Sequence, residues 1–232
     1  MRSFSFIASP DNPLAIKIFK KIEETNLNLN KIYFIGKKFS KKDKLIFKER
    51  TGAYFSAANL NYLKKKTLKK ICKFRSLQSF YNYKSKEKLR EDFLVNAGLT
   101  KKIPQNILDL PKFGIINCHP GILPYFKGSC CPEWSILLNK TVGLTLHLMN
   151  QDIDAGPIYK IKKIEKKKYQ NFNYQQFRTL IFNEQISFLL KCITELVIKK
   201  KSILKFKKQK KENKFFKPIN SEQLEKVKSL LK

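Results

Sequence analysis

Glycine and histidine are gathered into one short reach of this chain, and that reach limits what the whole can fold into. Of 8 glycines in 232 residues, five (Gly114, Gly121, Gly128, Gly143 and Gly156) fall between positions 114 and 156, and so do both histidines, His119 and His147. Elsewhere the sequence runs in lysine, isoleucine, asparagine and phenylalanine. A chain this sparing with Gly and His places them where backbone geometry or proton chemistry requires them. The stretch GIINCHPGILPYFKG (114–128) is therefore the first candidate for a functional strand end.

The surrounding pattern predicts an α/β fold. SFSFIAS reads as a first strand, PDNPLAIKIFKKIEET as a helix with Leu14, Ile18 and Ile22 at a spacing of four, and KIYFIG as a second strand. Strand, helix, strand is the signature of a parallel sheet. Residues 37–91 are lysine-rich and helical in pattern, with a short strand expected at AYFS (53–56). DFLVNAG and FGIINCH read as buried strands with the short helix KKIPQNILDLPK between them. The helix PEWSILLNK and the strand VGLTLHLM follow, its alternation setting Val142, Leu144, Leu146 and Leu148 on one face and Thr145, His147 and Met149 on the other. A long helix is expected from Tyr174 to Lys199, with Phe177, Ile181 and Phe188 in the core. These boundaries give one domain over 1–200 and a basic C-terminal extension over 201–232, read as a hairpin or loose connection and a final short helix.

The formal net charge is +31, but only five of the 49 basic residues are arginines. A polyanionic partner is one reading of such an excess. Base-composition drift is the other, and it is favoured for the lysines as a group, because they are spread along the chain and Arg, the better phosphate fork, is scarce. The five cysteines form no CxxC pair and cannot all pair internally, which points to reduced thiols and a cytoplasmic protein. No stretch has the length of a signal peptide's apolar region or of a membrane span, so no membrane association is expected. Cys118 beside His119 faces the opposite side of its strand and reads as a buried structural thiol. Cys130, Cys131 and His119 match no zinc spacing, so no metal is expected.

Asn117 and His119 stand two apart at the end of a strand, hence on one side of it, where open α/β sheets bind their ligands. An amide donor beside an imidazole could stabilise an oxygen that turns negative during acyl transfer. Asp154, on the loop after the next strand, could hold that imidazole protonated and help move a proton. Each residue alone also has a plain structural explanation, a hydrogen-bonded His and a turn Asp.

Taken together, NCHPGILPYFKG and GLTLHLMNQDIDAGPI resemble the formyltransferases that use 10-formyltetrahydrofolate, the match reaching back to FLVNAGLTKKIP and covering about residues 92–158. The agreement of several motifs in order is a specific signal. The resemblance implies a Rossmann-like formyltransferase core, a mostly parallel sheet flanked by helices. It assigns Asn117 to the formyl oxygen, His119 to the oxyanion as imidazolium, and Asp154 to tuning His119 and aiding proton transfer. It also assigns Leu99, Ile103 and the 150–154 backbone, Asn150 and Asp152 included, to the pterin. Two departures stand out: Gly121 replaces the family's Ser, which a turn tolerates, and Lys127 replaces a common Arg.

Within the family, ASPDNPLAI lacks the glycine-rich phosphate loop of glycinamide ribonucleotide formyltransferases. Methionyl-tRNA formyltransferases share the SPD turn but carry a second domain, for which the residues after the long helix are too few. The sugar N-formyltransferases fit best. The expected acceptor is then a nucleotide-linked amino sugar, with Lys and Tyr side chains gripping the diphosphate and stacking the base. Specific nucleic-acid binding is not expected, and a homodimer is compatible with the reading. A methionyl-tRNA formyltransferase-like activity, a formyltetrahydrofolate hydrolase, and a basic binding protein on the same fold are the alternatives. The intact Asn117, His119 and Asp154 set argues against the last.

Overall fold

The computed structural model describes residues 1–38, 40–52, 54–55, 60–199, 201–212 and 214–231. Seven strands form the main sheet: β1 (Phe4–Ala8), β2 (Ile32–Ile35), β3 (Ile71–Phe74), β4 (Phe93–Asn96), β5 (Ile115–His119), β7 (Val142–Leu148) and β8 (Ile158–Ile164). Their order is β3-β2-β1-β4-β5-β7-β8. A short β6 (Lys127–Gly128) pairs separately with β9 (Phe215–Phe216). The helices are α1 (Pro13–Ile22), α2 (Lys41–Thr51), α3 (Lys65–Leu68), α4 (Leu77–Lys84), α5 (Gln105–Leu108), α6 (Cys131–Leu137), α7 (Tyr174–Val197) and α8 (Ser221–Leu230). The expected mostly parallel sheet flanked by helices is what the chain forms, with β7–β8 antiparallel.

Two compact units interleave along the sequence. The first comprises Met1–Lys44, Ala57–Asn117 and Leu190–Lys205, the second Leu45–Ser56, Cys118–Leu189 and Phe206–Lys232. In the first, every residue of β1 and β2 is buried, as strands covered on both faces must be. The registers Phe6↔Ile32 and Phe4↔Phe93 set apolar side chains beside one another across β1. Phe6 meets Phe19 at 5.4 Å and Tyr33 meets Phe80 at 5.1 Å between ring centroids. Asn12 caps α1, its side chain accepting from the Leu14 amide, and Pro13 opens the helix where a missing N–H costs nothing. Of the spaced triplet expected to face the core, Ile18 and Ile22 are buried, and Leu14 is half-buried.

A buried charge cluster crosses this core. Glu91 accepts from Ser5 Oγ at 2.9 Å and Tyr33 Oη at 2.9 Å, and pairs with Lys84 Nζ. Burial alone would raise its carboxyl, but the Lys84 contact and the two hydroxyl bonds outweigh burial and hold it below the usual range.

Two strands were not evident in the sequence, and they are the two edges of the sheet. β3 (ICKF) and β8 (IYKIKKI) carry lysines and are only partly buried, as edge strands commonly are, and such segments lack a continuous apolar run. The short strand expected at 53–56 falls partly outside the described residues, and Tyr54 and Phe55 lie in a turn and a bend.

In the second unit, the six residues Val142–His147 of β7 are all buried, so both of its faces are covered rather than one. Phe177, Ile181 and Phe188 of α7 are core residues as expected. Glu133 is buried and bound by Tyr174 Oη at 2.8 Å and Arg178 Nη1 at 3.3 Å, which ties α6 to α7. The extension, read from sequence as a hairpin or loose connection, is packed down. Lys207 pairs with Ile158, β9 pairs with β6, and Phe216 stacks on Phe126 at 5.2 Å and 12°.

Candidate active site

β5 ends on the motif that the sequence singled out, and its residues are held by side-chain bonds from neighbouring loops. In the first unit, Asn96 at the end of β4 accepts the amides of Gly98 (3.1 Å) and Leu99 (2.8 Å) on its Oδ1. That assigns its nitrogen as donor, and Nδ2 gives to Asn117 Oδ1 at 3.3 Å. The chain of bonds thereby settles which end of the Asn117 amide is oxygen, leaving its NH₂ as the donor group that acyl-transfer chemistry would use. Asn96 has no role in the sequence reading, although its place before Ala97-Gly98 at a strand end was a visible signal. Leu99 and Ile103 are buried in this unit, at 5% and 2% exposure.

In the second unit, His119 is buried between two acceptors. Its Nδ1 lies 3.3 Å from Asp154 Oδ2, and its Nε2 lies 2.7 Å from the carbonyl oxygen of Phe126. A ring N–H at Nε2 can donate to that carbonyl, and the carboxylate can accept an N–H at Nδ1. Asp154 Oδ2 also accepts the Gly128 amide at 2.9 Å, while Oδ1 faces His147 Nε2 at 3.8 Å. His147 places Nδ1 on the Leu148 carbonyl at 2.8 Å. Burial, and next the charge of His119, pushes the His147 pKa down to about 4, so this ring is neutral at physiological pH. The two imidazoles thus differ in their surroundings: His119 lies between a carboxylate and a carbonyl, while His147 is kept neutral by burial.

Gly121 is more than a tolerated departure. A Cβ there would meet His119 Nε2 at 2.6 Å, Phe126 O at 2.6 Å and Cys131 Cβ at 3.0 Å. The loop can carry its carbonyl onto the imidazole only because position 121 has no side chain. Thr145, from the strand that supplies His147, pins the same loop by donating to Gly121 O (2.7 Å) and accepting from Leu123 N (3.0 Å). Lys127, in place of the expected Arg, donates to Glu212 O at 2.9 Å.

The Asp154 loop is built under constraint. Asp154 itself has φ 55°, the left-handed region that side-chain-bearing residues rarely occupy. Gly156 lies so close to Leu148 O that an added Cβ would sit 1.8 Å from it. Asn150 and Asp152 are exposed on this loop. Cys118 is buried, and all five cysteines are free thiols. Among the described residues no cluster of three or more His, Cys, Asp or Glu could hold a metal ion, and no helix is long and apolar enough to cross a membrane.

The mostly parallel α/β sheet thus carries Asn-x-His at the end of β5, with the Asp154 carboxylate against the imidazole. The sequence matches the family described as Formyl transferase over residues 7–179, and the chain belongs to that family. A stretch of 77 residues, 33% of this chain, is 39% identical to the methionyl-tRNA formyltransferase of Dictyoglomus thermophilum and spans 25% of that protein. Among solved structures, the chain resembles a 4-N formyltransferase from Francisella tularensis with TM-score 0.62 and 17% identity, covering 99% of this chain and 86% of that one. It also resembles a formyltransferase from Anoxybacillus kamchatkensis solved with UDP-4,6-dideoxy-4-formamido-L-AltNAc and tetrahydrofolate, with TM-score 0.52 and 18% identity, covering 92% and 85% of the two chains. At these identities the structural likeness establishes a shared fold.

Proposed function

We propose that this chain transfers a formyl group from 10-formyltetrahydrofolate to the amine of a nucleotide-linked amino sugar. The observation that supports it most is the buried His119–Asp154 contact of 3.3 Å at the end of the strand that also bears Asn117. The free amine would attack the formyl carbon. The resulting oxyanion would take a hydrogen bond from the Asn117 amide and replace Phe126 O as acceptor of the His119 Nε2 proton. As the bond from carbon to the folate nitrogen breaks, the amine sheds a proton and the folate nitrogen gains one. Asp154 keeps the imidazole charged and lies within reach of that exchange.

The donor set suits a folate. We assign buried Leu99 and Ile103 as apolar contacts for the pterin, and exposed Asn150 and Asp152, with the 150–154 backbone, as polar ones. When bound, the folate supplies the activated formyl carbon and a nitrogen leaving group.

Two features favour the sugar over other acceptors. The start of α1 is closed by its own Asn12, whose side chain bonds Leu14 N and Gly98 O, and its first position is Pro13; no cradle of amides is presented to a ribose phosphate there. Residues 206–212 and 214–217, beyond the long helix, pack in the same compact unit as His119 and Asp154, where their side chains could reach a small acceptor. The methionyl-tRNA reading is supported by sequence relatives of that name, among them one 39% identical over 77 residues and one 31% identical over 103. Purified protein incubated with 10-formyltetrahydrofolate and a panel of nucleotide-linked amino sugars should release folate one for one with a formyl mass increment on one sugar. Formylation of methionyl-tRNA but of no sugar would move the acceptor, and formate release independent of any amine would identify a hydrolase.

A further inference from the structure

We propose that residues 206–212 and 214–217 act as a strap that sets the position of the Asp154 carboxylate, with Gln209 as its positioning residue. This rests on the formyl-transfer reading only for its kinetic consequence.

The strap reaches Asp154 from two directions. Gln209 Nε2 donates to the carbonyls of Asp154 (3.0 Å) and Gly156 (2.7 Å), bracketing the turn in which Asp154 holds its left-handed backbone. The amide can face only one way, because turning it over would set its oxygen against two carbonyl oxygens. In this orientation Gln209 Oε1 is buried without a protein partner among the described residues. A buried acceptor left unmade is costly, and it is kept where the other end of the group serves a purpose. From the other side, Asp154 Oδ2 receives the Gly128 amide, and Gly128 is set by the strap as well. It pairs with Phe216, Ser129 N bonds Phe216 O at 2.9 Å, and a Cβ on Gly128 would lie 2.3 Å from that same oxygen. Phe126, whose carbonyl occupies His119 Nε2, is stacked on Phe216. Lys207, two residues before Gln209, exchanges both backbone bonds with Ile158 at 2.8 Å, which anchors the segment beyond the turn. A strained turn persists only where its surroundings over-determine it, and the strap supplies that determination.

Gln209→Met keeps the length and volume of the side chain but donates nothing. In the full chain it should lower kcat for formyl transfer by about 10- to 100-fold, the cost of a displaced catalytic group, with KM for 10-formyltetrahydrofolate within about threefold of wild type. The chain has two histidines, so the far-downfield imidazole N–H resonance of His119 against Asp154 can be followed by NMR without substrate. Gln209→Met should shift or broaden it, and Gln209→Glu should do so at least as strongly, its carboxylate opposing both carbonyls. An unchanged resonance with unchanged kcat would overturn the proposal. So would a loss of kcat accompanied by a matching loss of folded protein and an unchanged resonance, since that is what a structural prop alone would give. If wild-type protein transfers no formyl group to any acceptor, the resonance still decides the strap while the functional reading falls.

Discussion

Of the buried acid–base pairs among the described residues, Lys84–Glu91 and His119–Asp154 contrast most directly, and of these two only the second belongs to the proposed site. Lys84–Glu91 in the first unit and His119–Asp154 in the second are both nearly excluded from solvent. Glu91 is saturated: Ser5, Tyr33 and Lys84 all bond it from strands or helices that the core immobilises. Asp154 stands on a loop at positive φ, its contact to His119 is longer at 3.3 Å, and the neighbouring His147 is held neutral beside it. Burial of charge therefore does not by itself mark a functional centre. What separates the two is whether the charge is fully answered by fixed partners or held at a strand end with a group that can change partner.

The largest effect expected from breaking this contrast is on the structural pair. Glu91→Ala takes one of two carboxylates from buried Lys84, leaving Glu87, and strips the Ser5 and Tyr33 hydroxyls of their acceptor; it should cost about 3–5 kcal/mol of stability in urea unfolding, while turnover per folded molecule stays near wild type. A large fall in kcat with little loss of stability would erase the distinction between the pairs.

The reverse pattern is expected at the site. Asn117→Ala and His119→Ala should each reduce kcat about 10²- to 10³-fold, as loss of one oxyanion donor does, with KM nearly unchanged. Asp154→Asn should also collapse turnover while equilibrium binding of the folate persists. Near wild-type turnover in His119→Ala would refute the assigned chemistry.

Acid titration separates the two regions further. His147 is lowered to about 4 in the fold against about 6.5 when unfolded. Its contribution is therefore complete above the unfolded value and is lost as pH falls towards the folded one, because there the unfolded chain takes up a proton that the folded chain refuses. The loss should reach up to about 3 kcal/mol. His147→Gln should flatten this limb of the stability curve. Glu91, lowered in the fold, contributes above its unfolded value and loses that contribution only as pH falls through its lowered one. Its limb lies at more acid pH and should be untouched by His147→Gln.

The smallest effects belong to the surface lysines. Lys208→Ala and Lys211→Ala, both exposed, should change stability by no more than about 0.5 kcal/mol and leave kcat alone. If Lys199, Lys201, Lys207, Lys208, Lys210 and Lys211 attract RNA, that binding should be non-specific and fall steeply with salt; Lys200, of the same basic run, lies outside the described residues. Specific tRNA binding at physiological salt would shift the proposed acceptor from sugar to tRNA.

The sequence by itself determined the central strands and the motif at the end of β5. Strands covered on both faces read as unbroken apolar runs, as in SFSFIA, IYFI and FLVN, and a chain poor in Gly and His announces where it uses them. The helices α1 and α7 were legible as well, but other features were decided by tertiary structure alone. β3 and β8 are edges, half exposed and carrying lysines, so no local pattern separates them from solvated helix or loop. Asn96, Thr145 and Gln209 act through hydrogen bonds to residues distant in sequence, which leave no periodicity to read. The necessity of glycine at 121 likewise exists only once Phe126 O, His119 and Cys131 close around that position. Periodic burial is a property of neighbours along the chain, whereas the aim of a hydrogen bond is a property of neighbours in space.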